Sequence, residues 1–322
     1  MKILLFPGQG SQFVGMARDL YEAFPAAREL CDRADRVLGT PLTRIMFEGP
    51  EETLRETHNA QPAILIHSMA VWSVLQPAWT ATLRAAAGHS LGEYTAHVVA
   101  GALSFEDALR LVRRRGELML QAGRQNPGTM AAVLNADLDL VREVCQAAPG
   151  LVVPANINSP GQIVISGEHA AVKAAMDALK ERGVRKIVEL RVSGAFHSPL
   201  MQPAADGLAA ALADVTLFNA GIPVFANVTA APVQEGERIR DLLVRQLLSP
   251  VLWEPTLRRL VALGPAEFLE IGPGQVLKGL LRATDRDASC RTLGTAEEVR
   301  AFIETPVEQP LAFGKEHGPS RA

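Results

Sequence analysis

Residues 88–92 read Gly-His-Ser-Leu-Gly, and this run constrains the fold more tightly than any other stretch of the chain. Leu83–Ala87 before it is small, apolar and of strand length, while Glu93–Ala100 after it reads as the start of a helix. A serine held between two glycines at a strand-to-helix junction is the setting in which G-x-S-x-G makes a sharp turn and lifts the hydroxyl into a cleft. The glycines remove side chains that would block such a turn. The helix that follows aims its unpaired N–H groups, and its positive end, at negative charge developing there. The competing reading is an ordinary serine in a Gly-rich turn.

The surrounding pattern is that of an α/β chain. Short apolar runs alternate with helix-period stretches, as in a parallel sheet covered by helices. Ile3–Phe6 reads as a first strand, Phe13–Phe24 and Gln61–Leu75 as helices, and Pro223–Asn227 and Glu267–Ile271 as further buried strands. Between Thr129 and Val192 the rhythm changes. Strand Met130–Leu134, helix Asp137–Ala148, strands Val152–Ile157 and Gln162–Ser166, helix Ala170–Arg182 and strand Lys186–Val192 follow one another. That order is βαββαβ, which is ferredoxin-like. The expected division is a large catalytic body of residues 1–126 and 195–304, an inserted ferredoxin-like subdomain of 127–194, and a Pro-, Gly- and charge-rich mobile tail over 305–322.

With 48% hydrophobic residues the chain can bury a large core, and a net charge of −3 gives no reason to expect nucleic acid or an anionic membrane as partner. Cys31, Cys145 and Cys290 are odd in number and far apart, which argues against a disulfide framework and for a reducing compartment. All three read as small core residues. No apolar run approaches the ~18 residues of a membrane helix, and the first is cut at once by Pro7-Gly8. The expectation is a soluble, cytoplasmic protein, a monomer, with no metal site, since neither HExxH nor paired CxxC spacing occurs.

Three further features carry chemistry. The loop Pro7-Gly-Gln-Gly-Ser-Gln12 follows the first strand, but Phe13 stands where a dinucleotide G-x-G-x-x-G needs its last glycine. Such a loop can instead present backbone N–H groups to an oxyanion, or simply make a turn. Among seven histidines, His197 lies in the small-residue loop Ser193–Pro199 directly after a predicted strand, where sites tend to be built. His89 should leave the strand opposite to the serine, and His97 should face away from the turn. No acid stands out as a third member, so a Ser90–His197 pair with the imidazole held by a backbone carbonyl is the economical proposal. In the helix Glu106–Ala122, Arg115 falls within the apolar stripe of Ala108, Leu111, Val112, Leu118, Met119 and Ala122, while Arg113 and Arg114 fall outside it. A core-facing arginine needs an anion, either an internal Asp or Glu or a substrate carboxylate that its fork can grip.

With these residues in hand, the chain resembles the malonyl-CoA:acyl-carrier-protein transacylases, the acyltransferases of fatty-acid and polyketide synthesis. The likeness runs from about Met1 to Leu293. It rests on Phe6-Pro-Gly-Gln-Gly-Ser-Gln12, Gln61-Pro-Ala63, Gly88-His-Ser-Leu-Gly92, Arg115-Gly116 with Met119, Asn158-Ser-Pro-Gly161, Ala195-Phe-His-Ser198 and Glu270-Ile-Gly-Pro-Gly274, in that order. The resemblance implies an α/β fold with a large parallel-sheet, α/β-hydrolase-like body and a ferredoxin-like insert. It implies Ser90 as the acylated nucleophile and His197 as its base. Backbone N–H groups of Gln9 and Leu91 would form the oxyanion hole, Arg115 would grip the malonyl carboxylate, and Gln246 would orient His197 through its carbonyl. Phe196, before the histidine, leans towards malonyl rather than methylmalonyl.

The implied reaction is ping-pong transfer of malonyl from malonyl-CoA, through a Ser90 ester, to the phosphopantetheine thiol of acyl carrier protein, without a cofactor. A trans-acting acyltransferase of a polyketide pathway is the alternative within the family. Outside it, a serine hydrolase would predict an acid after the serine and an HGGG-type loop, neither evident, and a carrier-binding scaffold would not need Ser90, His197 and Arg115 together.

Overall fold

The structure, a computed structural model, describes residues 1–79 and 81–304, so the tail expected from Thr305 onwards lies outside the described residues. Its strands in chain order are β1 (Lys2–Phe6), β2 (Leu83–Gly88), β3 (Thr129–Leu134), β4 (Val152–Ser159), β5 (Gln162–Gly167), β6 (Lys186–Glu189), β7 (Val224–Phe225), β8 (Pro232–Val233), β9 (Val251–Leu252), β10 (Glu267–Ile271) and β11 (Cys290–Leu293). They form two sheets, ordered β11-β10-β1-β2-β7-β8 and β6-β3-β5-β4-β9.

The first five strands of the large sheet run parallel, and only the edge strand β8 is antiparallel. A parallel sheet covered on both faces is built from near-continuous apolar runs, which is why Lys2-Ile-Leu-Leu-Phe6 and Ala85-Ala-Ala87 carry no polar alternation. Ile3, Leu5, Ala85, Ala87 and Phe268 pack against Trp253, Leu257 and Leu281 on one face. Leu4, Phe6, Ala86 and Leu269 join the main core on the other. No helix among the described residues is long and apolar enough to cross a membrane.

The second sheet contains the expected βαββαβ pattern, antiparallel in the order β6-β3-β5-β4, with the helices Leu138–Ala147 and His169–Glu181 on one face. Period-two alternation divides its residues. Ala131, Val133, Ile163 and Ile165 face those helices, whereas Met130, Ala132, Gln162 and Val164 face a cleft against the large sheet.

Several expectations are corrected. The helix expected over Phe13–Phe24 is only Arg18–Ala23, because Gly15 and Ala17 hold left-handed backbone and Gly15 N donates to Met46 O instead of entering a helix. The last strand of the insert stops at Glu189; Leu190 N still donates to Met130 O of β3, and Leu190–Val192 line the cleft. Pro223–Asn227 contributes only two strand residues. The small sheet gains β9, a two-residue strand from outside the insert that pairs parallel with β4. Cys31 and Cys145 are buried, but Cys290 on the edge strand β11 is only half-buried.

Candidate active site

The cleft between the two sheets, about 460 Å³, is where the site lies, and Ser90 and His197 both line it. β2 delivers the serine. At Ser90 the backbone turns to φ 50°, and the helix Gly92–Val99 begins two residues later. A Cβ on Gly88 would run into the Gly92 carbonyl group, and one on Gly92 into the Phe6 carbonyl. Both glycines of the motif are therefore demanded by close backbone approach. The turn is clamped from outside the motif: Asn227 Oδ1 accepts from Ser90 N at 2.7 Å, while Asn227 Nδ2 donates to Gly88 O at 2.8 Å. These bonds hold the serine in a left-handed conformation that a non-glycine residue does not adopt freely.

Ser90 Oγ lies 2.8 Å from His197 Nε2, and His197 Nδ1 lies 2.9 Å from the Gln246 carbonyl oxygen. A carbonyl only accepts, so Nδ1 carries the proton and Nε2 is left free to take one from the serine. Burial, and next the Arg115 guanidinium, lower the His197 pKa to about 3, so the ring is neutral at ordinary pH. Among the described residues no carboxylate touches the imidazole, which is the arrangement of a dyad rather than a triad with an acid.

Arg115 projects from the helix Phe105–Gln125, which Ser104 caps by accepting from Asp107 N. As its place in the apolar stripe required, it is only 1% exposed. Among the described residues no carboxylate oxygen lies within 4.0 Å of the guanidinium, so the internal ion pair that would have made it a structural residue is absent. Its partners are neutral: Nη1 donates to Gln61 Oε1 at 2.6 Å, and Nη2 to Gln246 Oε1 at 2.9 Å and to Ser90 Oγ at 3.0 Å. The group lies 5.7 Å from the Tyr94 ring centre, and Nε has no partner. Burial lowers its pKa, with Tyr94 and Glu93 opposing.

Gln61 links this cation to the glycine loop. Its Nε2 donates to Thr57 Oγ1 at 2.9 Å, and Thr57 Oγ1 donates to Gln9 Oε1 at 3.0 Å. Gln9 lines the cleft. Neither its backbone N–H nor that of Leu91 donates to another group among the described residues, which leaves both free for an oxyanion. Gly8 allows the loop to lie against the elbow, because a Cβ there would strike the His89 carbonyl oxygen.

Of the residues expected to build the site, Gln9, Ser90, Phe196 and His197 line the cleft, and Leu91, Arg115 and Gln246 lie against Ser90, but the expectation for His89 changes. His89 does not point away: its Nε2 lies 2.8 Å from Asn158 Oδ1 on the small sheet, and it lines the cleft beside the serine. Alternation along a strand no longer applies once the backbone has turned left-handed at the next residue. Glu270, within the last motif, is a helix cap, accepting from Leu277 N at 3.0 Å and Lys278 N at 2.7 Å. Burial raises its pKa to about 7. Asn227 and Glu93 went unrecognised, although Glu93, an acid on the buried side of a helix, was a signal available in the sequence.

A serine at a glycine-gated elbow, a neutral imidazole and two free backbone donors are the parts that acyl transfer through a serine requires. Comparison with known proteins narrows the class. Residues 3–308 match the acyl transferase domain model, and the chain belongs to the acyl transferase family. The malonyl CoA-acyl carrier protein transacylase of Bacillus subtilis (strain 168) is 44% identical over 313 residues, which are 95% of this chain and 97% of that one. The solved acyl-carrier-protein-S-malonyltransferase of Bartonella henselae is 42% identical, with a TM-score of 0.90 over 94% of this chain and 98% of its own. A malonyl-transacylase solved in complex with a type II PKS acyl-carrier protein is 40% identical, with a TM-score of 0.91 over 95% and 99%.

Proposed function

We propose that this enzyme moves a malonyl group from malonyl-CoA, through an ester on Ser90, to the phosphopantetheine thiol of an acyl carrier protein of fatty-acid synthesis. One observation carries the reading: a single hydroxyl, Ser90 Oγ, lies within hydrogen-bond distance of both a neutral base and a buried guanidinium. The first contact suits nucleophilic attack, and the second suits a substrate with a carboxylate close to the reacting carbonyl.

In the acylation half, Ser90 Oγ attacks the thioester carbon as its proton passes to His197 Nε2, and the N–H groups of Gln9 and Leu91 hold the oxyanion. An oxyanion donor of this kind contributes about 3 kcal/mol in the transition state. The intermediate collapses with cleavage of the C–S bond, and His197 protonates the coenzyme A thiolate. In the second half the carrier thiol gives its proton to His197 and attacks the Ser90 ester, whose oxygen takes that proton back on release. Arg115 pairs with the malonyl carboxylate throughout. Phe196, buried in the cleft wall beside His197, supports malonyl over its bulkier α-methyl analogue.

The solved complex with a type II PKS carrier protein favours a second reading within the same chemistry, supply of a polyketide carrier. Initial rates with malonyl-, methylmalonyl- and acetyl-CoA, each against fatty-acid and polyketide carriers, test both readings. The proposal predicts parallel double-reciprocal plots and a strong preference for malonyl. Intersecting plots, or rapid release of free malonate without a carrier, would contradict it.

A further inference from the structure

Glu93 is fully buried, three residues beyond the nucleophile, and no step of the mechanism uses it. Its Oε2 accepts from Gln246 Nε2 at 2.6 Å and from Asn227 N at 3.1 Å, while its Oε1 has no hydrogen-bond partner, lying 3.9 Å from His97 Nε2. The two residues it holds are the two that organise the site. Asn227 clamps the elbow through Ser90 N and Gly88 O. Gln246 holds His197 Nδ1 with its backbone carbonyl and Arg115 Nη2 with its side-chain Oε1.

The Gln246 amide therefore sits between a guanidinium, which can only donate, and a carboxylate, which accepts. That pairing forbids the flipped orientation, in which the NH₂ would face the guanidinium and the carbonyl would face the carboxylate. We infer that Glu93 is a positioning residue, whose carboxylate oxygen, acting through Gln246 and Asn227, sets the guanidinium, the imidazole and the serine turn in register. The inference rests on the reading of Arg115 as the selector of malonyl. Acceptor geometry rather than charge is the claimed feature. The amide of Glu93→Gln can still offer one oxygen to both donors and turn its NH₂ towards the unpartnered His97 Nε2.

The readout is the ratio of kcat/KM for malonyl-CoA to that for acetyl-CoA, which a loss of folded protein leaves unchanged. Glu93→Ala should lower this ratio about tenfold or more, since small misplacements of a positioning group cost that much. Glu93→Asp, which withdraws the acceptor by about 1.5 Å but keeps the charge, should lower it too. Glu93→Gln should keep the wild-type ratio or exceed it. If the alanine variant fails to fold, the Asp and Gln variants decide by their order. Arg115→Ala is the control: an unchanged ratio there removes the selector reading itself. A collapsed ratio in Arg115→Ala, with a wild-type ratio in Glu93→Ala or Glu93→Asp, overturns the present inference alone. A ratio in Glu93→Gln as low as in Glu93→Ala also overturns it, because charge would then carry the effect.

Discussion

Replacing Arg115 by alanine should convert a malonyl-selective enzyme into one that treats acetyl and malonyl thioesters alike. Among the described residues the buried guanidinium hydrogen-bonds to neutral partners only, so a substrate carboxylate would bring a full negative charge into direct contact with it. Hydrogen bonds to a charged group contribute about 1.5–3 kcal/mol each, and a two-pronged grip thus about 3–6 kcal/mol. At about 1.4 kcal/mol per factor of ten, malonyl kcat/KM should fall roughly 10²- to 10⁴-fold. Water entering the vacated space places the expected loss towards the lower end. Acetyl transfer should hold or rise, because acetyl no longer has to bind beside an unpaired buried charge. The assay is kcat/KM for both thioesters at equal concentrations of folded enzyme, with carrier protein saturating. Equal losses for both substrates would refute the selector role and leave Arg115 as a structural support for Ser90 and Gln246.

Other consequences follow from the same geometry. Because the His197 pKa lies well below the ordinary imidazole value, the base stays deprotonated as pH falls, so the acid limb of kcat/KM should lie clearly below pH 6.5. A limb at or above 6.5 would contradict the buried, arginine-flanked base. The same shift means that the unfolded chain binds this proton first between pH 6.5 and about 3. Stability should therefore decline on acidification through that window, by at most about 1.4 kcal/mol per pH unit from this group, as read by denaturant titration. Gly88→Ala drives a Cβ into the Gly92 backbone and should cost about 3 kcal/mol or more. Gly279→Ala, on the exposed face of the helix Val276–Thr284 with open space around it, should instead stabilise by about 0.5–1 kcal/mol. Denaturation midpoints that moved alike for the two would undo the close-packing account of the elbow.

What the sequence disclosed divides along a physical line. The elbow was legible because its cause is local: two glycines, a strand before and a helix after. Arg115 was legible because helical periodicity sets it among apolar residues whatever the tertiary structure. The βαββαβ insert was legible from alternating apolar runs. The edges of elements were less so. The strand β9 has two residues and exists only because β4 offers it a partner, so no local pattern announces it. The end of β6 at Glu189 is likewise unmarked, because the apolar residues Leu190 and Val192 that follow it line the cleft instead of extending the strand. Asn227 and Glu93 escaped notice because their roles arise from contacts more than 130 residues apart in the chain. His89 was misdirected by a rule for extended strands, at the residue just before the backbone leaves the extended region.

The claim on which all of this depends is that Ser90 carries the acyl group. Intact-mass spectrometry of the enzyme mixed with malonyl-CoA and no carrier protein tests it directly. A single malonyl adduct should form, resist removal of excess thioester, vanish on addition of phosphopantetheinylated carrier protein, and be absent from Ser90→Ala. An adduct that persists in the alanine variant, or an absence of any adduct in an enzyme that still transfers malonyl, would contradict the account.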